Sequence, residues 1–239
     1  VFKREKDIIM KKSKHGMTSK QASYVKKIGH KREVNFNAQF GIEGYKINFS
    51  GSSADNIISK ESYVDPILRD KFNISDPSLL DVSLKSGNTI QFHLGNIPEL
   101  TDRTLMEIVS TDNLPTKVSH GIPFEEQRTN LKDKKFWNKY LKKGKILCYV
   151  EDEDHYTFFC MNSIIEFVID KCTWRKLPTG RLKGNFIYRG KSLQILTYEY
   201  RSDKKQFVLG AHGSKKGKAF VNLLKENIKF HSEKKYKIS

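Results

Sequence analysis

Between Leu79 and Asn88 the chain reads Leu-Leu-Asp-Val-Ser-Leu-Lys-Ser-Gly-Asn. An extended strand points alternate side chains to opposite faces. Asp81, Ser83 and Lys85 therefore line one face, and Leu80, Val82 and Leu84 the other. The apolar face can enter a core, while the polar face carries a carboxylate, a hydroxyl and an amine in a row. A lone buried Lys or Asp is costly, so the row calls for a use. Upstream, Gly51-Ser52-Ser53-Ala54-Asp55 leads into Asn56-Ile57-Ile58, which sets Asp55 at the start of a second short strand. A carboxylate there, beside a strand bearing a carboxylate and a lysine, can hold a divalent metal next to a water and a phosphate.

The balance of charge agrees with a phosphate-bearing partner. The 239 residues include 44 Lys+Arg against 27 Asp+Glu, a formal net charge of +17. Such an excess points to a polyanion, nucleic acid before an anionic membrane surface. With 37% hydrophobic and 11% aromatic residues, the chain still has the means to fold. No apolar run approaches the roughly 18 residues of a membrane span, and Val1 to Lys14 holds no apolar stretch of signal-peptide type. Cys148, Cys160 and Cys172 are odd in number and form no CxxC pair. They read as reduced thiols of an intracellular, cytoplasmic protein, and no zinc pattern is visible.

The elements that must position these residues follow from periodicity and punctuation. Residues 1–33 hold eleven Lys and Arg against three acids, and the part to about Gly16 reads as a basic arm. Thr18-Ser19-Lys20-Gln21 caps a helix running past Lys27, and Val34, Phe36 and Phe40 suggest a second helical run after Gly29. Glu33 is either a surface ion-pair partner or a carboxylate reaching the metal site from that helix. Ile42 to Phe49 reads as a strand, Gly51 to Ser53 as a turn, and the stretch after Asp65-Pro66 as a helix ending near Pro77. Ser86-Gly87-Asn88 reads as a tight turn, making Thr89 to Leu94 the hairpin partner of the 79–86 strand. Gln91 and His93 then continue its polar surface, although an ordinary hydrogen-bonded histidine is the plainer account of His93.

Further on, a short helix is expected over Thr101 to Ser110 and a charged helix over Phe124 to Leu141. Ile146 to Val150 is a continuous apolar run suited to a central strand, and Tyr156 to Cys160 a further strand. The four acids Glu151 to Asp154 between them suit a solvated hairpin tip. Asn162 to Val168 looks helical. Arg175 to Gly184 reads as a basic Gly/Pro-punctuated loop, Leu193 to Tyr200 as a strand, and Phe207 to Leu209 as the next. Gly210-Ala211-His212-Gly213-Ser214-Lys215-Lys216-Gly217-Lys218 then opens a helix at Ala219. Small residues with lysines and a histidine let backbone amides and ammonium groups approach phosphates, though a flexible basic loop has the same composition. The spacing of a Walker loop is absent.

Asp55, followed 30 positions later by Lys85 in Ser83-Leu84-Lys85, resembles the bipartite metal site of the PD-(D/E)xK nuclease superfamily, type II restriction endonucleases in particular. The order of Glu33 on a helix, then Asp55, then the lysine strand is similar to the family layout over about residues 20–150. Ser83 stands where the family usually has Asp or Glu, although some members carry a polar residue there, and Asp81, two residues earlier on the same face, either supplies the missing carboxylate or is itself the second ligand. The alternation of strand and helix signals gives an α/β fold, a central mixed sheet flanked by helices, with a β-rich part over about 151–239 that either extends the sheet or forms a DNA-recognition part, all in one domain. The resemblance implies magnesium-dependent, sequence-specific hydrolysis of double-stranded DNA by a homodimer. Asp55 and Asp81 (or the Ser83 position) would bind Mg2+, with Glu33 a further ligand, and Lys85 would position the attacking water. Arg175, Arg181, Lys183, Arg189, Arg201, His212, Ser214, Lys215, Lys216 and Lys218 are the candidate DNA contacts. Other readings stay open: a nucleic-acid-binding protein without catalysis, a structure-specific or repair nuclease of the same superfamily, and a ribosome-associated or other basic interaction protein.

Overall fold

The computed structural model describes residues 19–40, 56–59, 79–95, 97, 124–141, 146–152, 155–178, 180–201, 206–213, 215–229 and 231–235. The expected strand at 42–49, turn at 51–53 and helices at 65–75 and 101–110 lie outside them, as do Asp55 and Ser214. Helix α1 (Ser19–Phe40) is followed by β1 (Asn56–Ser59), β2 (Leu79–Ser86) and β3 (Ile90–Gly95). Helices α2 (Phe124–Asn130) and α3 (Lys134–Tyr140) lead into β4 (Ile146–Val150), β5 (His155–Cys160) and α4 (Met161–Lys171). The chain continues through β6 (Thr173–Lys176), β7 (Leu182–Tyr188), β8 (Lys191–Arg201), β9 (Gln206–Ala211), α5 (Lys216–Asn227) and β10 (His231–Lys235).

The described strands form two sheets. One is mixed, in the order β1-β2-β4-β5-β10, with β2 and β4 parallel and the other pairs antiparallel. The other, β3-β9-β8-β7-β6, is antiparallel throughout. The fold is thus α/β, with helices against a mixed and an antiparallel sheet. Strands cross the sequence boundary near residue 150: β3 completes the second sheet, while β5 and β10 complete the first.

Register separates the two faces of the mixed sheet. Leu84 pairs with Cys148, which pairs with Phe158, and Val82 pairs with Ile146. This face forms one apolar cluster with Phe36 of α1, whose ring lies 6.0 Å from that of Tyr156 and 6.3 Å from that of Phe158. On the opposite face Leu147, Tyr149 and Phe159 join the larger cluster, with Trp137 of α3, Ile164 of α4, Phe220 of α5 and Phe92, Tyr198 and Leu209 of the second sheet. Burying each such side chain contributes about 1.5–3 kcal/mol, and the shared cluster binds the two sheets.

Four sequence expectations are corrected. First, β2 and β3 are not a hairpin. Both hydrogen-bonding edges of β2 are taken, by β1 and β4, and the intervening turn is held elsewhere. The Tyr149 hydroxyl donates to Gly87 O at 2.6 Å, and the Gly217 N–H to Asn88 O at 2.8 Å. Gly87, at φ 75°, makes the reversal that sends β3 to β9. Second, Gly29 does not divide α1. Third, the 124–141 helix is two helices. Asp133 caps α3 by accepting the Lys135 N–H at 2.8 Å. At the break Lys132 donates to Ile169 O and Cys172 O, neutralising the carbonyl end of α4. Fourth, the two ends of 175–184 are strand, in β6 and β7, because Trp174 and Leu182 alternate with Arg175 and Lys183 as a half-buried hairpin requires.

Candidate nucleic-acid interface

The polar row of β2 is real, but it faces inward. Ser83 is 1% exposed and pairs with Leu147; Lys85 pairs with Tyr149 and is half-buried. Lys85 Nζ donates to Leu84 O at 3.1 Å. Asp81 belongs to the strand, opposite Ile57, but its side chain is outside the described set, as is Asp55, which precedes Asn56 at the start of β1. Glu33 lies one turn before Phe36, on the helix that covers the Val82–Leu84 face. The structure therefore brings Ser83 and Lys85 to one face and Glu33 to the layer on the other side of the sheet.

A second polar surface is assembled by the antiparallel sheet. Following the register straight across gives Arg175 (β6), Lys183 (β7), Thr197 (β8), Gly210 (β9) and Gln91 (β3), one residue per strand. The adjoining row, Leu182, Tyr198, Leu209 and Phe92, points the other way and is buried in the core. This is the period-2 division expected of an antiparallel sheet with one face packed. With strands about 4.8 Å apart, the polar row is roughly 19 Å long, near six base-pair rises of a duplex.

In the middle of this face is a cavity of about 230 Å³, lined by Gln91, Arg181, Lys183, Thr197, Glu199, Arg201 and His212. Lys183 Nζ donates to Thr197 Oγ1 at 2.7 Å, and Arg181 Nε lies 3.2 Å from Glu199 Oε2. The Gln91 amide meets His212 Nδ1 at 2.8 Å. Burial lowers the pKa of the Lys183 ammonium, as do the cations Lys216, Arg181 and Arg175, while Glu199 pulls it back up. Thr197 and Glu199, 4% and 8% exposed, form the floor.

The other expected contacts divide. Lys216 begins α5, close enough to act on Lys183. Lys215 precedes it in a left-handed conformation, φ 64°, and is exposed, as is Lys218. Arg189 sits at the β7–β8 turn, where it pairs with Glu226 at 3.3 Å and lies over the Tyr188 ring. That is a structural bond to α5, away from the cavity's lining residues. Gln91 was marked in the sequence only as polar surface, and Thr197 and Glu199 were missed. The signal was present in the i, i+2, i+4 spacing of Thr197, Glu199 and Arg201.

No family model, no curated protein and no solved structure matches this chain.

The chemistry available on the sheet face is anion binding: guanidinium, ammonium, imidazole, hydroxyl and amide groups surround one cavity with a single carboxylate. On β2 the described residues alone do not fit a magnesium site. Ser83 supplies a buried hydroxyl where a carboxylate is wanted, and Glu33 comes from the opposite layer. No group of three or more metal-binding side chains occurs among the described residues, so the fit rests on Asp55 and Asp81. No described helix is long and apolar enough to cross a membrane.

Proposed function

We propose that this protein binds double-stranded DNA across the polar face of the antiparallel sheet and cuts it as a magnesium-dependent, sequence-specific endonuclease. The observation that carries the reading is the cross-sheet row from Arg175 to Gln91 around a cation-lined cavity, in a chain of net charge +17. Cations set on rigid strands hold phosphates in register. The cutting step is assigned to the strand that resembles the restriction-type PD-(D/E)xK motif, with Asp55 and Asp81 as magnesium ligands; Lys85, whose Nζ rests on Leu84 O, would turn from that carbonyl to the scissile phosphate. A homodimer suits cleavage of both strands of a palindromic site.

A second reading is binding without cleavage. Ser83, 1% exposed in the motif's acid position, favours it, since the cationic face needs nothing from β2.

Mixed-sequence plasmid incubated with magnesium or with EDTA, alongside a Lys85→Ala variant, separates the readings. Discrete fragments that require magnesium and vanish in the variant establish the endonuclease. A magnesium-dependent smear keeps the nuclease and makes it structure-specific. Intact plasmid with retained binding that weakens by about 0.9 log units per phosphate contact per log unit of salt leaves the second reading.

A further inference from the structure

The cavity on the antiparallel sheet is more particular than a surface that tracks a backbone. At about 230 Å³ it is smaller than the roughly 300–1,000 Å³ of pockets that take drug-sized ligands. It is built rather than incidental. Gly210 occupies its place in the polar row without a side chain, and His212 folds into the space. A Cβ at Gly210 would lie 2.6 Å from His212 Cε1 and 2.7 Å from Nε2. The imidazole is turned toward Gln91, which bonds it at 2.8 Å. Glu199 holds Arg181 at 3.2 Å, and Thr197 holds Lys183 at 2.7 Å. The Lys183 and Arg181 heads are thus placed by neutral or acidic partners on β8.

We propose that this cavity grips one phosphate group of the nucleic acid, with Lys183 as its central cation and Arg181, Arg201 and His212 around it. The lining suits an anion, and its several hydrogen-bonding groups favour phosphate over a carboxylate side chain. Lys183 stands among the like charges of Lys216, Arg181 and Arg175, a repulsion that a bound anion relieves. Guanidinium groups match phosphate and carboxylate oxygens alike in bidentate fashion. Thr197 and Gln91 add neutral hydrogen-bonding groups suited to a ligand with several oxygens. The proposal rests on the nucleic-acid reading above, yet it is separable from it. The phosphate is either an internal phosphodiester or a terminal phosphomonoester.

The test uses the full chain and its Lys183→Gln and Thr197→Val variants. Each is titrated by calorimetry with pyrophosphate, and by fluorescence anisotropy with a labelled duplex bearing either a 5′-phosphate or a 5′-hydroxyl. A polyglutamate peptide serves as the acidic-protein control. The expected result is pyrophosphate binding weakened at least tenfold by Lys183→Gln and a smaller loss for Thr197→Val, with duplex affinity falling in parallel. Preference for the 5′-phosphate makes the cavity an end-binding pocket; equal affinity makes it a backbone pocket. Pyrophosphate and duplex affinities unchanged in Lys183→Gln overturn the proposal while leaving the nucleic-acid reading intact. Lys183-dependent pyrophosphate binding without duplex binding overturns that reading and keeps the pocket. Tighter Lys183-dependent binding of polyglutamate than of either phosphate ligand assigns the cavity to acidic protein instead.

Discussion

His212 lies over Gly210, filling the position that a side chain at residue 210 would take, and its Nδ1 is 2.8 Å from the Gln91 amide. The glycine is there for space, not for backbone freedom. Gly210→Ala would drive the new methyl into the imidazole and toward Ile90 O, 2.9 Å away. The backbone cannot yield as a side chain can, so the variant is expected to lose roughly 1–3 kcal/mol of stability. Its affinity for pyrophosphate should fall several-fold as His212 leaves Gln91. Denaturant unfolding checks the first effect and calorimetry the second.

Gly29 offers the opposite case. It lies within the continuous helix α1, and a Cβ there meets nothing within 4 Å. Gly29→Ala should therefore raise the unfolding free energy by about 0.5–1 kcal/mol, the usual helix-interior difference. Urea unfolding followed by circular dichroism measures it, and no gain would mean that α1 is interrupted at this residue.

Tyr149 ties the mixed sheet to the turn that redirects the chain. Its phenol is pushed up to about 12, chiefly by burial and then by Glu151, with Arg32 opposing. Tyr149→Phe removes the donor to Gly87 O, held at 2.6 Å, and should cost about 1–2 kcal/mol. Amide hydrogen exchange is expected to quicken at Gly217, whose N–H bonds the neighbouring Asn88 O, more than in β5.

The thiols predict a pH dependence. Burial raises the Cys148 thiol well above its ordinary value. It pushes Cys172 up to about 12, against the pull of Lys132 and the Asn185 backbone. An unfolded chain ionises these thiols from about pH 9, whereas the folded one keeps them neutral. The stability they contribute is complete below pH 9 and is lost as pH rises from 9 toward 12. Chemical unfolding at pH 8 and pH 10 should show that fall, and a Cys148→Ala/Cys172→Ala variant should show less of it. At pH 8 a thiol reagent should label only Cys160 before unfolding, because the other two are buried.

The sequence by itself determined several of the strands and which side chains alternate on them. β2, β4, β8 and β9 were legible because a strand's period is local. Pairing was beyond it. Nothing near residues 86–89 shows that both edges of β2 are occupied, so a turn and an alternating run read as a hairpin. Arg175 and Lys183 read as loop because Gly and Pro punctuation outweighed the alternation of Trp174 and Leu182. Only the tertiary structure decided that Gln91, Gly210, Thr197, Lys183 and Arg175 stand side by side. Such a row is set by the register of five strands around a shared core, and hydrogen bonds between residues far apart in the chain leave no local period to read.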